Sequence, residues 1–272
     1  MRRLVAGLGL AMGIGLVALA LLPALPDIRA GGASVLTAGQ QPGVLTRIDG
    51  TPLSPRFPAR DADYAPPVGF TRTIAATGMV WHTLPQPPQS DRPAAIVLLH
   101  GSGRDGRAMV DMWQGMAADH DILLIAPDAA DPQAWSMRDE PAAALMALLD
   151  DVALTHPFDP DRVYLYGHSA GANHALALAP DGPWRAVAVH AGDIGTVQPT
   201  GPAPIPVRIQ IGTDDLSYPL DVVTQAAERL AEAGHDVDLL VIPGHDHWFY
   251  DIGPRLAADA WSFFDHPGAQ AD

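Results

Sequence analysis

The stretch RVYLYGHSAGANHALALA, residues 162 to 179, decides how the chain is read. An apolar run, 162 to 166, meets Gly167-His168-Ser169-Ala170-Gly171, and a helical pattern follows without a gap. This is the G-x-S-x-G turn between a strand and a helix. Glycines two positions before and after the serine let strand and helix pack closely around a strained turn, which lifts the hydroxyl clear of the sheet. Three fixed residues arise by accident in roughly one chain of this length in ten, so the strand-then-helix setting gives the match its weight. Ser169 is the candidate nucleophile.

A serine hydroxyl is a weak nucleophile at neutral pH and needs a base to take its proton and a carboxylate to orient that base. After such a turn the order is Ser, then Asp or Glu, then His. Beyond Ser169, the strand VRIQIG ends in Thr213-Asp214-Asp215-Leu216-Ser217-Tyr218-Pro219, and the strand VDLLVIP ends in Gly244-His245-Asp246-His247-Trp248. Both segments fall at carboxyl ends of strands, where open α/β sheets bind ligands. Position alone leaves Asp214 and Asp215 open as the acid and His245 and His247 as the base. Asp193, after AVAVHA, is a further candidate acid.

Upstream, HGSGRDG at 100 to 106 follows the apolar run AAIVLL and precedes the helix-like RAMVDMWQGMAA. Gly101, Gly103 and Gly106 match G-x-G-x-x-G, so the loop reads either as a dinucleotide-binding turn or as an oxyanion loop. Both use backbone N–H groups left free at a helix N-terminus and aimed at negative charge. Asp128, 22 residues after Gly106, stands where a ribose-binding acid would. The dinucleotide reading leaves the serine turn and both later junctions unexplained.

Elsewhere strands alternate with helices, which predicts an α/β fold with a mostly parallel sheet and helices on both faces. TRTIAATGMVWHTL, with Gly78 at its turn, predicts a short antiparallel hairpin ahead of that sheet. Residues 67–272 are expected to form the folded domain, and residues 31–66, rich in Gly, Pro and polar residues, a linker. Residues 1–30 read as an export signal or membrane anchor: MRR precedes an uncharged stretch, 4 to 22, long for a signal core and just long enough to span a bilayer. The expected location is therefore the periplasm or the exterior, with membrane contact only through that segment.

Every basic residue is arginine, all but three acids are aspartate, and the formal charge of −15 would repel a phosphate backbone. Nucleic acid is not an expected partner. Without cysteine there is no disulfide, thiolate nucleophile or Cys-based zinc site. His245 and His247 have the His-x-His spacing of some zinc sites, but no third ligand is identifiable and no metal is expected.

Residues 94 to 264 resemble the α/β-hydrolase superfamily, particularly its feruloyl-esterase and polyhydroxyalkanoate-depolymerase-like branch, in LLHGSGRDG, IAPDAA, FDPDRVYLYGHSAG, IGTDDLSYP and PGHDHWFYD. The resemblance implies an α/β-hydrolase fold, a Ser-His-Asp triad, a small-molecule or polymeric ester as substrate, and no cofactor. In that branch the acid sits three residues after a glycine and four before a proline, which selects Asp215 over Asp214. The G-x-D-H-x-[YF]-Y pattern of related esterase D-type enzymes selects His247. His245 stays as the alternative, because other relatives place the histidine directly after glycine. By the same resemblance Ser102 and Ala170 supply the oxyanion N–H groups, with Gly103 as a substitute for Ser102. Trp135, Tyr218 and Trp248 lie on or beside these loops and are candidates for lining an acyl or aromatic pocket. His100, His168, His174 and His190 read as structural. The rival reading is an envelope-tethered binding module that keeps the fold without turnover.

Overall fold

Six-residue apolar runs without alternation build the middle of the sheet. The computed structural model describes residues 41–52, 64–196 and 203–266; the apolar segment 4–22 lies outside them. In AAIVLL, which forms β4 (Ala94–Leu99), no side chain is more than 2% exposed. Successive side chains point to opposite faces of a strand. Ala95, Val97 and Leu99 therefore enter one core, and Ala94, Ile96 and Leu98 enter the other. A strand covered on both faces has no solvent side to mark with polar residues. Each buried Leu, Ile or Val contributes roughly 1.5–3 kcal/mol.

The remaining elements are β1 (Leu45–Asp49), β2 (Thr71–Ile74), β3 (Val80–Thr83), α1 (Gly106–His120), β5 (Ile122–Pro127), α2 (Ala142–Ala153), β6 (Val163–His168), α3 (Ala170–Leu178), β7 (Ala186–His190), β8 (Val207–Gly212), α4 (Leu220–Glu232), β9 (Val237–Ile242) and α5 (Gly253–Asp265). The sheet order is β1-β9-β8-β7-β6-β4-β5-β3-β2. Strands from β1 through β5 in that order pair in parallel, and the β2-β3 hairpin closes the far edge antiparallel. Helices α2, α3 and α4 cover one face, while α1 and α5 cover the other.

Two segments assigned to the linker belong to the folded unit. Leu45–Asp49 form β1, in register with β9 from Leu45 opposite Val237 to Asp49 opposite Val241. This edge strand buries no side chain fully, so backbone hydrogen bonds carry it and its sequence, LTRID, shows no apolar alternation. Tyr64 stacks on Tyr250 at 4.1 Å between ring centroids and donates its hydroxyl proton to Asp111 at 2.6 Å.

Candidate active site

β6 passes into α3 through one residue, Ser169, whose backbone sits at φ 54° and ψ −117°. A non-glycine residue held there costs on the order of 1–3 kcal/mol and persists only where its surroundings over-determine it. The neighbouring glycines supply that constraint. A Cβ on Gly167 would lie 2.3 Å from the Gly171 carbonyl oxygen, and one on Gly171 would lie 2.2 Å from that of Leu99. The backbones of β4, β6 and α3 thus approach more closely than any side chain permits. The Ser169 N–H donates to the His190 carbonyl at 3.0 Å, tying the turn to β7.

The turns after β8 and β9 bring their residues to this point. The Ser169 hydroxyl is 3.0 Å from His247 Nε2, and His247 Nδ1 is 2.9 Å from Asp215 Oδ2. Because the carboxylate can only accept, Nδ1 carries the imidazole proton and Nε2 turns its lone pair to the serine. Burial alone would push the Asp215 carboxyl up. The hydrogen bond to His247, with backbone N–H groups of Tyr218 and Ser217 on the other oxygen, outweighs burial and holds it below the usual carboxylate range.

The alternatives lie elsewhere. His245 is fully buried and its Nε2 faces His190 Nε2 at 2.9 Å, away from Ser169. The Nε2 atoms of the two rings thus have different partners, His190 for His245 and Ser169 for His247. Asp214 is exposed and accepts from the Thr213 hydroxyl. Asp193 meets Asn173 through its backbone N–H.

The loop after β4 closes the site. A Cβ on Gly101 would stand 3.4 Å from Ser169 Cβ, so this loop lies directly against Ser169. The Ala129 N–H donates to His100 Nε2, which places the His100 proton on Nδ1, where it donates to the Gly101 carbonyl at 2.9 Å. Fixing that carbonyl fixes the Ser102 N–H, which points the opposite way across the same trans peptide. The Trp135 indole holds the His100 carbonyl at 2.8 Å. Among the described residues, neither the Ser102 N–H nor the Ala170 N–H has a protein acceptor. Gly103 does not fit its expected role as substitute donor: its φ of 71° turns its N–H to the Pro132 carbonyl, at 2.7 Å.

The dinucleotide reading is overturned at the start of α1. Asp105 caps the Arg107 N–H, and Asp128 accepts from Gly106 N–H and His82. Two carboxylates occupy the place a phosphate would take.

A cavity of about 860 Å³ flanks this loop, lined in part by Met79, Gly103, Arg104, Asp128 and Glu140, and reaches none of Ser169, Trp135, Tyr218 or Trp248. Trp135 braces the loop after β4. The Trp248 indole donates to Asp251, and Tyr218 lies over the His247 ring at 5.5 Å. Sequence reasoning missed Glu140 and Asn173. Buried Glu140 accepts from the backbone of Ala130 and Ser136, shaping the loop that carries Trp135, and nothing in its local pattern marks it. Asn173 lies in the first turn of α3, four residues after Ser169, and its backbone N–H donates to the Ser169 carbonyl at 3.1 Å.

A strand-turn-helix serine, an acid after the second strand beyond it and a histidine after the last strand, all at one edge of a mostly parallel sheet, define the α/β-hydrolase fold. No family model matches the chain. Its curated relative "Putative esterase NocK" of Nocardia uniformis subsp. tsuyamanensis is 34% identical over 153 residues, which are 50% of this chain and 43% of that protein, so the likeness spans less than half of the relative's length. Among solved structures, the carboxylesterase from Mesorhizobium loti superposes with a TM-score of 0.58 at 24% identity, covering 73% of this chain and 99% of that one. The apo form of Thermogutta terrifontis esterase 2 gives 0.60 at 18%, covering 75% and 97%. These two share the fold.

Proposed function

We propose that the chain is an exported serine hydrolase that cleaves carboxylic esters through an acyl-enzyme intermediate. One observation carries the reading: hydrogen bonds run without a break from Ser169 through His247 to Asp215, beside the N–H groups of Ser102 and Ala170, which have no acceptor among the described residues. Ser169 Oγ attacks the ester carbonyl as His247 Nε2 takes its proton, and Asp215 stabilises the imidazolium. Negative charge gathers on the carbonyl oxygen and is met by the two N–H groups. His247 then protonates the leaving alcohol, and water, activated by the same nitrogen, releases the acid.

The resemblance of the loops to feruloyl-esterase and polyhydroxyalkanoate-depolymerase-like enzymes supports a feruloyl, acetyl or short hydroxyacyl ester as substrate. The likeness to NocK supports the broader class. Export rests on the uncharged run 4 to 22 behind two arginines.

A fluorophosphonate probe tests the chemistry. Labelling of the wild-type chain that disappears in Ser169→Ala, together with hydrolysis of p-nitrophenyl esters, is the expected result. Folded wild-type protein that takes no label would instead mark a binding module, and graded acyl chain lengths would rank the substrates.

A further inference from the structure

Tyr218 contributes more than packing, in a role that presupposes the ester-hydrolase reading of the site. Three contacts fix its position. Its ring stacks on His247 at 5.5 Å and 22°. Its hydroxyl receives a hydrogen bond from Asn173 Nδ2 at 2.8 Å. It also meets the side chain of Ser169. The direction of the Asn173 bond is settled because Asn173 Oδ1 accepts the Asp193 N–H at 2.8 Å, so the amide nitrogen must face the phenol. The phenolic oxygen accepts from Asn173 and keeps its own proton for another partner. Asn173 itself is tied to the nucleophile, its backbone N–H donating to the Ser169 carbonyl at 3.1 Å.

We propose that the Tyr218 hydroxyl is a catalytic hydrogen-bond donor to Ser169 Oγ, oriented by Asn173 and acting when that oxygen carries negative charge. Charge collects on Oγ twice. In acylation, Oγ transfers its proton to His247 Nε2 as it bonds to the acyl carbon. In deacylation, water adds to that carbon and gives its proton to His247, then the C–Oγ bond breaks with its electron pair going to Oγ, which is reprotonated by His247. Tyr218 keeps its proton throughout and donates only a hydrogen bond. Burial raises the phenol above its ordinary pKa and outweighs the contacts with the Asn173 and Ser169 side chains, which act the other way, so the phenol keeps its proton.

Removing one donor aimed at developing charge typically costs about 100- to 1000-fold in kcat, and a donor to an oxygen already served by His247 should cost less, about 10- to 100-fold. Stopped-flow hydrolysis of p-nitrophenyl acetate by the full chain measures this. Tyr218→Phe keeps the ring on His247, so its expected signature is slowed deacylation, with a p-nitrophenol burst standing out above a lowered steady rate, and KM for a slowly reacting ester unchanged. Asn173→Ala should show part of that loss, and none further when added to Tyr218→Phe. Wild-type rates in Tyr218→Phe, or a change in KM alone, overturn the proposal while the ester-hydrolase reading survives. Wild-type protein that neither turns over the ester nor takes a fluorophosphonate overturns both.

Discussion

Next to His247, His168, His190 and His245 form a buried file, with His168 Nδ1 3.0 Å from His190 Nδ1 and His190 Nε2 2.9 Å from His245 Nε2. Burial and neighbouring imidazoles push His168 and His190 well below the ordinary histidine range, and burial lowers His100 and His174 too. The folded state therefore keeps these rings neutral where the unfolded chain takes up protons. Each then removes about 1.4 kcal/mol per pH unit as pH falls from about 6.5 to its folded value. Asp215 acts lower down: its depressed carboxyl contributes stability that is lost only as pH falls through its folded value, below about 3.9. Urea unfolding in 0.15 M salt, which screens the formal charge of −15, is expected to show stability dropping between pH 6.5 and 5.5 with a slope of about two protons or more. A slope below one proton would contradict the neutrality of His100, His168, His174 and His190. Sequence marked His168 and His190 only as structural and kept His245 as the alternative base, since their meeting depends on β6, β7 and the turn after β9 becoming neighbours. Motif and resemblance had already pointed to Ser169, Asp215 and His247, the residues that the structure brings together. Gly103 misled because a glycine pattern does not reveal which carbonyl will engage its N–H.

Among the elements, the packing of α3 on β4 and β6 positions Ser169, and glycine substitutions probe it. An alanine methyl at Gly171 would meet backbone atoms of Leu99 and His100 within 2.7 Å, none of which can rotate away. Gly171→Ala should cost on the order of 3 kcal/mol. Gly115, on the exposed side of α1, gives the contrast, because a methyl added there would meet no atom within 4 Å. Gly115→Ala should add about 0.5–1 kcal/mol through helix propensity. Thermal melts of the two variants should move in opposite directions, and equal shifts would deny the tight contact. The elements themselves were largely legible: strands such as ILLIAP and VDLLVI are bounded by turns, and α4 and α5 carry clear apolar faces. β1 was not, because a five-residue edge strand held by its backbone leaves no periodic trace.

For the whole molecule, β1 matters because it covers the outer edge of β9. An uncovered edge offers unpaired N–H and C=O groups to other chains. A chain starting at residue 41 keeps β1 and should melt without aggregating. One starting at residue 51 should melt lower and aggregate on heating, and light scattering during a melt separates the two. Identical behaviour would show that β1 is dispensable. The overall architecture followed from the alternation of strands and helices, whereas the linker boundary did not, since Tyr64 and β1 join the domain through contacts distant in sequence.

The direction of β1 carries one more consequence. Running parallel to β9, it has Leu45 beside Val237, at the end of the sheet from which β9 sets out, while His247 lies past the end at which β9 arrives. Five residues at about 3.3 Å each separate the two rims. A shortened chain coupled to a resin at Leu45 is therefore held by the rim opposite the one that carries Ser169 and His247.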